Sequence, residues 1–155
     1  MTNNQLKNPI PGYAWITILI VSVLSLMIGI GDYFLAGNGD PALTESMTGT
    51  SWEEMKIVSP NIVNLTNLLA RILGAWLTGL SILGIGVSAV PYRRGERWAW
   101  YILWALPLSF LLVFIAVLTA NRVPGSSPPP ALYSAPGLFV LSTLALLLPV
   151  RKFFP

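Results

Sequence analysis

The chain contains no cysteine and no histidine. The first absence excludes disulfides and thiol nucleophiles, and the second excludes imidazole acid–base chemistry. Together they exclude haem ligation through His and any zinc or iron–sulfur site built on His or Cys, so no cofactor is bound through either side chain. Charge is scarce too: Asp, Glu, Lys and Arg make up 10% of the 155 residues, against roughly 25% in a soluble domain. What fills the chain instead is apolar, with 54% hydrophobic residues and a mean hydropathy of +0.69, the composition of an integral membrane protein. The formal charge of +3 is not gathered into a long basic patch with interleaved polar residues. Nucleic acid is therefore not an expected partner, and the charge bears on topology and on contact with membrane lipids.

Four apolar segments can be placed in the sequence, which defines an all-α, polytopic membrane protein with four transmembrane helices in a single membrane domain over residues 1–155. The first, residues 13–31 (YAWITILIVSVLSLMIGIG), carries no charge. Its apolar core exceeds the hydrophobic region of a signal peptide and no A-x-A pattern follows before Asp32, so it is expected to be retained. The second, residues 62–90, follows SPNIVN, where Ser59 is placed to cap and Pro60 to take the first helical position. It is long for one crossing, which predicts tilt or outer turns projecting from the membrane. The third, residues 98–120, contains Pro107, which predicts a kink. The fourth, residues 132–148, is short and contains Pro136.

Basic residues orient these spans. With both termini in the cytoplasm, the inside holds Lys7, Arg93, Arg94, Arg97, Arg151 and Lys152, and the outside holds Lys56 and Arg122. The expected topology is N-in and C-in, in the inner (cytoplasmic) membrane. The external loop 32–60 is then long and acidic, with Asp32, Asp40, Glu45, Glu53 and Glu54. Within it TSWEEMK predicts a short helix capped by Thr50 or Ser51 with Glu53 or Glu54 in its first turn. The second external connection, residues 121–131, reads as a stiff spacer around Pro128, Pro129 and Pro130. The cytoplasmic loop 91–97 carries Arg93, Arg94 and Arg97 and leads into Trp98, Trp100 and Trp104, a basic anchor followed by an interfacial aromatic belt.

The sharpest candidate site lies in the second span. Asn64, Asn67, Arg71, Gly74, Thr78 and Ser81 follow spacings of three or four and so form a polar stripe along a helix. Arg71 falls about 28 Å from the cytoplasmic end by the helix rise, near the outer interface, where snorkelling to headgroups is cheap. Two readings compete. In one, Arg71 pairs with Asp32, or with Glu53 or Glu54 folding back from the loop, and fixes helix packing. In the other, Arg71 with Asn64, Asn67 and Thr78 forms a cradle for an anion or a lipid headgroup. Two small-xxx-small pairs, Ser25 with Gly29 and Ala75 with Gly79, mark expected helix contacts.

Arg71 with Gly74, then Gly84 and Gly86, then Arg93-Arg94-Gly95-Glu96-Arg97-Trp98-Ala99-Trp100, resemble a pattern met in small bacterial four-helix membrane proteins of the DoxX-like group. The resemblance covers residues 62 to 107 and implies a bacterial inner-membrane four-helix bundle; it implies no catalytic residues. No paired carboxylates and no nucleophile–base spacing stand inside a span, so a non-catalytic role is expected. That role is an accessory or scaffolding subunit of a larger membrane complex, with other membrane subunits as partners. The alternative is a lipid or small-amphiphile binding or transport module around Arg71, and an intramembrane enzyme ranks below it. Lipid, quinone or pigment contacts along the Trp and Phe surfaces would leave no ligand motif.

Overall fold

Prolines and glycines decide where the helices of this chain bend, stop and touch. The computed structural model describes residues 10–35, 41–120, 123–124, 126 and 128–154, without the side chains of residues 41 and 42. The described residues are all-α. Helix α1 is Gly12–Leu35, α2 Pro41–Thr48, α3 Trp52–Val58, α4 Pro60–Val87, α5 Arg97–Leu103, α6 Ala105–Thr119, α7 Ala131–Leu147 and α8 Val150–Phe153. Three stretches are long and apolar enough to cross a membrane: Gly12–Leu35, Pro60–Tyr92 and Arg97–Thr119. Helix α7 is apolar and shorter, at 17 residues. The chain thus has the character of an integral membrane protein.

Each deviation from an uninterrupted helix has a local cause. Helix α4 passes into a π turn, Ser88–Tyr92, which contains Pro91; a proline there has no N–H for the carbonyl one turn back. The third apolar stretch bends at Trp104, between α5 and α6. The bend is the kink expected of Pro107, which offers no N–H to the carbonyl of Leu103, four residues earlier. Ser51 caps α3 in a full capping box with Glu54, as the TSWEEMK pattern predicts. Ser59 departs from expectation: its side chain makes no cap bond to α4, and its N–H instead donates to Met55 O at the end of α3. Helix α1 runs one turn beyond Gly31, so Asp32 lies inside the helix; Tyr33, Phe34 and Leu35 continue its apolar pattern.

Helix α1 is the centre of the bundle, with α4 along one side and α7 on another, and α6 packs on α7. The tightest contact is between backbones. A Cβ placed on Gly74 would stand 2.6 Å from Gly29 O and 2.6 Å from Tyr33 N, and one placed on Gly29 would stand 2.8 Å from Thr78 N. Only residues without side chains allow helices this close. Nearer the other end of α4, a Cβ on Gly84 would meet Ser22 Oγ at 2.5 Å and the Leu106 side chain at 3.3 Å. Ser25 and Gly29 are buried in the α1 face of this contact. The second small pair is placed differently: Ala75 is exposed and a Cβ on Gly79 would meet nothing, so the close approach on α4 falls to Gly74 and Gly84.

Gly74→Ala is expected to destabilise the bundle by about 1–3 kcal/mol, because backbone atoms must move apart. Gly79→Ala is expected to stabilise it by about 0.5–1 kcal/mol through helix propensity alone. Denaturant unfolding of the purified protein, followed by circular dichroism, measures both; equal effects at the two positions would contradict the packing.

Candidate functional site

Three surfaces carry the polar chemistry of the bundle, and the first is its basic end. Here residue 10, the segment from Tyr92 to Trp104 and helix α8 converge. Ile10 N–H donates to Arg93 O at 3.2 Å, and the Arg93 guanidinium lies 5.0 Å from the Trp15 ring. Tyr92 is fully buried and stacks on Phe153 with ring centroids 5.4 Å apart. Its hydroxyl donates to Ala145 O at 2.8 Å, and Trp100 Nε1 donates to Leu146 O at 2.9 Å. These two carbonyls belong to the last turn of α7, where helix acceptors lack intrahelical partners. Ala145 O has a specific reason to need a donor, because the residue four positions on is Pro149, which has no N–H.

The three tryptophans expected to form an interfacial belt therefore have different surroundings. Trp98 is exposed and donates to Glu96, whereas Trp100 is half-buried among Trp104, Tyr101 and Phe154. Trp104 is half-buried as well, with its Nε1 inside the protein. Arg94 and Arg97 are exposed, and Arg97 lies 5.7 Å from the Phe154 ring.

The second surface is the polar stripe of α4, which the fold divides. Asn64 and Arg71 are exposed; Asn67 and Thr78 turn partly inward, and Asn67 Oδ1 is buried without a hydrogen-bond partner among the described residues. The carboxylates suggested as loop partners for Arg71 are engaged locally. Glu53 holds Lys56 at 2.8 Å, an exposed bridge of little energetic weight, and Glu54 accepts from Ser51 in the capping box. Trp52 and Met55 of α3 bury against Val63, so α3 covers the first turns of α4. Beside them, Ser46 O in α2 accepts from Val123 N–H at 2.9 Å and from Ser126 Oγ at 3.3 Å. The two connections read from sequence as external thus meet at one end of the bundle.

The third surface is a cavity of about 160 Å³ between α1, α4, α6 and α7. Helices α4 and α6 approach at Gly84 and Leu106, and the cavity lies beyond, between Leu73, Trp76 and Leu77 on one side and Ser109, Phe110 and Val113 on the other. Asp32 lines it. Leu73 and Leu77, which line the cavity with Asp32, are on the side of α4 away from Arg71, while the Asp32 backbone lies against Gly74, one turn from Arg71. Sequence reading placed Asp32 in a loop and missed this wall; the apolar triplet Tyr33-Phe34-Leu35 after it was the available signal. It also missed the pairing of Tyr92 and Trp100 with α7, for which Pro149 was the signal.

Comparison with family models, curated proteins and solved structures returns no match. What holds is the coarser description, a small all-α protein with several long apolar helices. Among the described residues no group of three His, Cys, Asp or Glu is placed to hold a metal ion, and the chain has no Cys or His through which a cofactor could be bound.

Tyr92→Phe removes the donor to Ala145 O while keeping the ring stack, and is expected to cost about 1–3 kcal/mol for the buried carbonyl left unmet. Trp98→Phe, at the exposed neighbour, is expected to change stability by less than about 0.5 kcal/mol. Chemical denaturation in detergent checks the pair, and equal losses would contradict the assignment.

Proposed function

We propose that this chain is a non-catalytic accessory or scaffolding subunit of a larger membrane complex and that it docks through the outward face of α4. One observation carries the reading. Asn64, Leu68, Arg71, Ala75, Gly79, Ile82 and Gly86 recur at spacings of three and four, and all are exposed. A Cβ at Gly79 or Gly86 would meet open space. Toward lipid, small residues bring no advantage over leucine; toward another helix, they permit close backbone approach. The polar members support the same reading, because an amide and a guanidinium on an apolar helix gain more from a partner's polar groups than from acyl chains.

In this proposal α1, α4, α5 with α6, and α7 are the four spans of a bacterial inner-membrane protein. Both termini and Arg93, Arg94 and Arg97 lie in the cytoplasm, and α2 and α3 lie outside in the acidic connection. The DoxX-like pattern across residues 62–107 agrees with that setting. A second reading, a binding module for a lipid or small amphiphile, draws support from the cavity beside Asp32 more than from Arg71, which faces away from it.

Purification from the native membrane in mild detergent, followed by native mass spectrometry, tests docking. Wild-type protein is expected to carry another membrane subunit in fixed stoichiometry. Gly79→Leu and Ala75→Leu are expected to lose that subunit while unfolding at the wild-type temperature. A lone monomer or homo-oligomer, or a partner retained by both variants, would overturn the proposal.

A further inference from the structure

The turn that joins α4 to α5 closes the end of an open groove of about 610 Å³, lined by Ile82, Leu83, Gly86 and Val90 on one side and by Glu96 and Trp98 at its end. The walls along α4 are hydrocarbon, and Gly86 leaves room between them, because a Cβ there would meet open space. Two backbone bonds fold the turn over the groove: Arg94 N–H donates to Val90 O at 3.1 Å, and Glu96 N–H donates to Pro91 O at 3.0 Å. Both acceptors belong to wall residues. Gly95, between the two donors, has φ +75°, a left-handed conformation that glycine adopts without strain. Glu96 is the one charged residue lining the groove. Its carboxylate takes up the Trp98 indole N–H, the other polar side-chain group of the lining. Although Arg93, Arg94 and Arg97 stand within three residues of it, Glu96 forms no ion pair among the described residues. Arg94 is exposed and forms none either. The rim of the groove thus carries an acid and a base two residues apart, neither neutralising the other.

We infer that this groove binds a zwitterionic phospholipid of the bilayer with a primary ammonium head, phosphatidylethanolamine. Its ammonium meets Glu96, its phosphate meets Arg94, and one acyl chain lies along Leu83, Gly86 and Val90. Charge complementarity selects this head, because each of its charges finds an opposite one and neither rim residue gives up an ion pair to receive it. Phosphatidylglycerol would satisfy Arg94 but bring no cation to Glu96 and set a phosphate beside its carboxylate. Phosphatidylcholine has the cation but no N–H to donate to the carboxylate. The depth fits as well. The groove walls are the last turns of Pro60–Tyr92, a stretch long and apolar enough to cross a membrane, so a chain there lies among acyl chains and the head lies at the end of the span. The inference goes beyond docking through α4. Ile82 and Gly86 belong to both surfaces, but Glu96 and Arg94 belong to the rim alone, so Glu96→Gln is expected to leave a docked subunit in place.

The test uses the purified full chain in detergent, given equal amounts of dioleoyl phosphatidylethanolamine, phosphatidylcholine and phosphatidylglycerol, with native mass spectrometry as readout of the lipid retained. Wild-type protein is expected to keep a single phosphatidylethanolamine, at least about threefold over either of the others. Glu96→Gln is expected to remove the preference over phosphatidylcholine; the Glu96 side chain makes no cap bond to α5, so the helix does not depend on it. Arg94→Gln is expected to weaken phosphatidylethanolamine retention by about threefold or more. Gly86→Leu fills the groove and is expected to reduce retention of all three lipids at wild-type helicity. Equal retention of phosphatidylethanolamine and phosphatidylcholine by the wild-type chain, or preferred retention of phosphatidylglycerol, would overturn the inference. So would an unchanged preference in Glu96→Gln, or unchanged retention in Gly86→Leu, when the variant keeps wild-type helicity. Subunit loss in Gly79→Leu is read separately from lipid retention, so the two proposals fail independently.

Discussion

The carbonyl of Ala145 has no main-chain donor, because the residue four positions later is Pro149. Ala145 is buried, and there this is a strong constraint, since an unmet carbonyl costs about 1–3 kcal/mol. The donor comes from another element, the Tyr92 hydroxyl, and the next carbonyl, of Leu146, receives Trp100 Nε1. Fixing those two atoms positions much else. Tyr92 reaches Ala145 because Pro91 turns the end of α4 through a π turn, and Phe153 of α8 lies against its ring. The loop of Arg93, Arg94 and Arg97 is therefore held at its start by a buried ring and after its end by a half-buried indole. It is an ordered junction of α4, α5, α7 and α8 whose exposed arginines are also well placed to meet headgroups.

A second constraint acts along α4. Gly29 and Gly74 bring α1 and α4 into backbone contact, which ties the long helix to the bundle along one side. Much of the remaining circumference of α4 is apolar and exposed, from Leu65 and Leu69 to Trp76 and Leu83, with Asn64 and Arg71 as its exposed polar members. The same attachment explains the cavity. Because α4 follows α1 while α6 follows α7, the two diverge beyond Gly84 and Leu106, and the space between them reaches Asp32. One packing decision thus produces both the outward glycine face and the inward cleft.

Much of this was legible in the sequence. Long uncharged runs marked α1, α4 and the α5–α6 stretch, because length and apolarity alone define such helices, and Pro107 announced its bend. Ser51 and Glu54 announced the capping box three residues apart. The side of a helix on which a small pair lies was not legible: Ser25 and Gly29 face a neighbour and Ala75 and Gly79 do not, although the motif is the same. Its partner is chosen by the three-dimensional arrangement, which the spacing does not contain. The polar stripe of α4 failed as a unit for a related reason. A stripe drawn through spacings of three and four drifts around the helix, so Asn64 and Arg71 finish outside and Asn67 and Thr78 nearer the contact with α1. The Tyr92 junction spans more than fifty residues of chain; Pro149 revealed the need for a donor but not its source.

The most direct measurement of the junction is a double-mutant cycle of Tyr92→Phe with Pro149→Ala, read by equilibrium unfolding in detergent. Alanine at position 149 restores an N–H one helical turn after Ala145, so the tyrosine hydroxyl is no longer its sole donor. The cost of Tyr92→Phe should then fall by about 1 kcal/mol relative to its cost in the wild-type chain. Additive losses would show that Tyr92 contributes only through its ring, and that the missing donor of Pro149 does not organise this end of the protein.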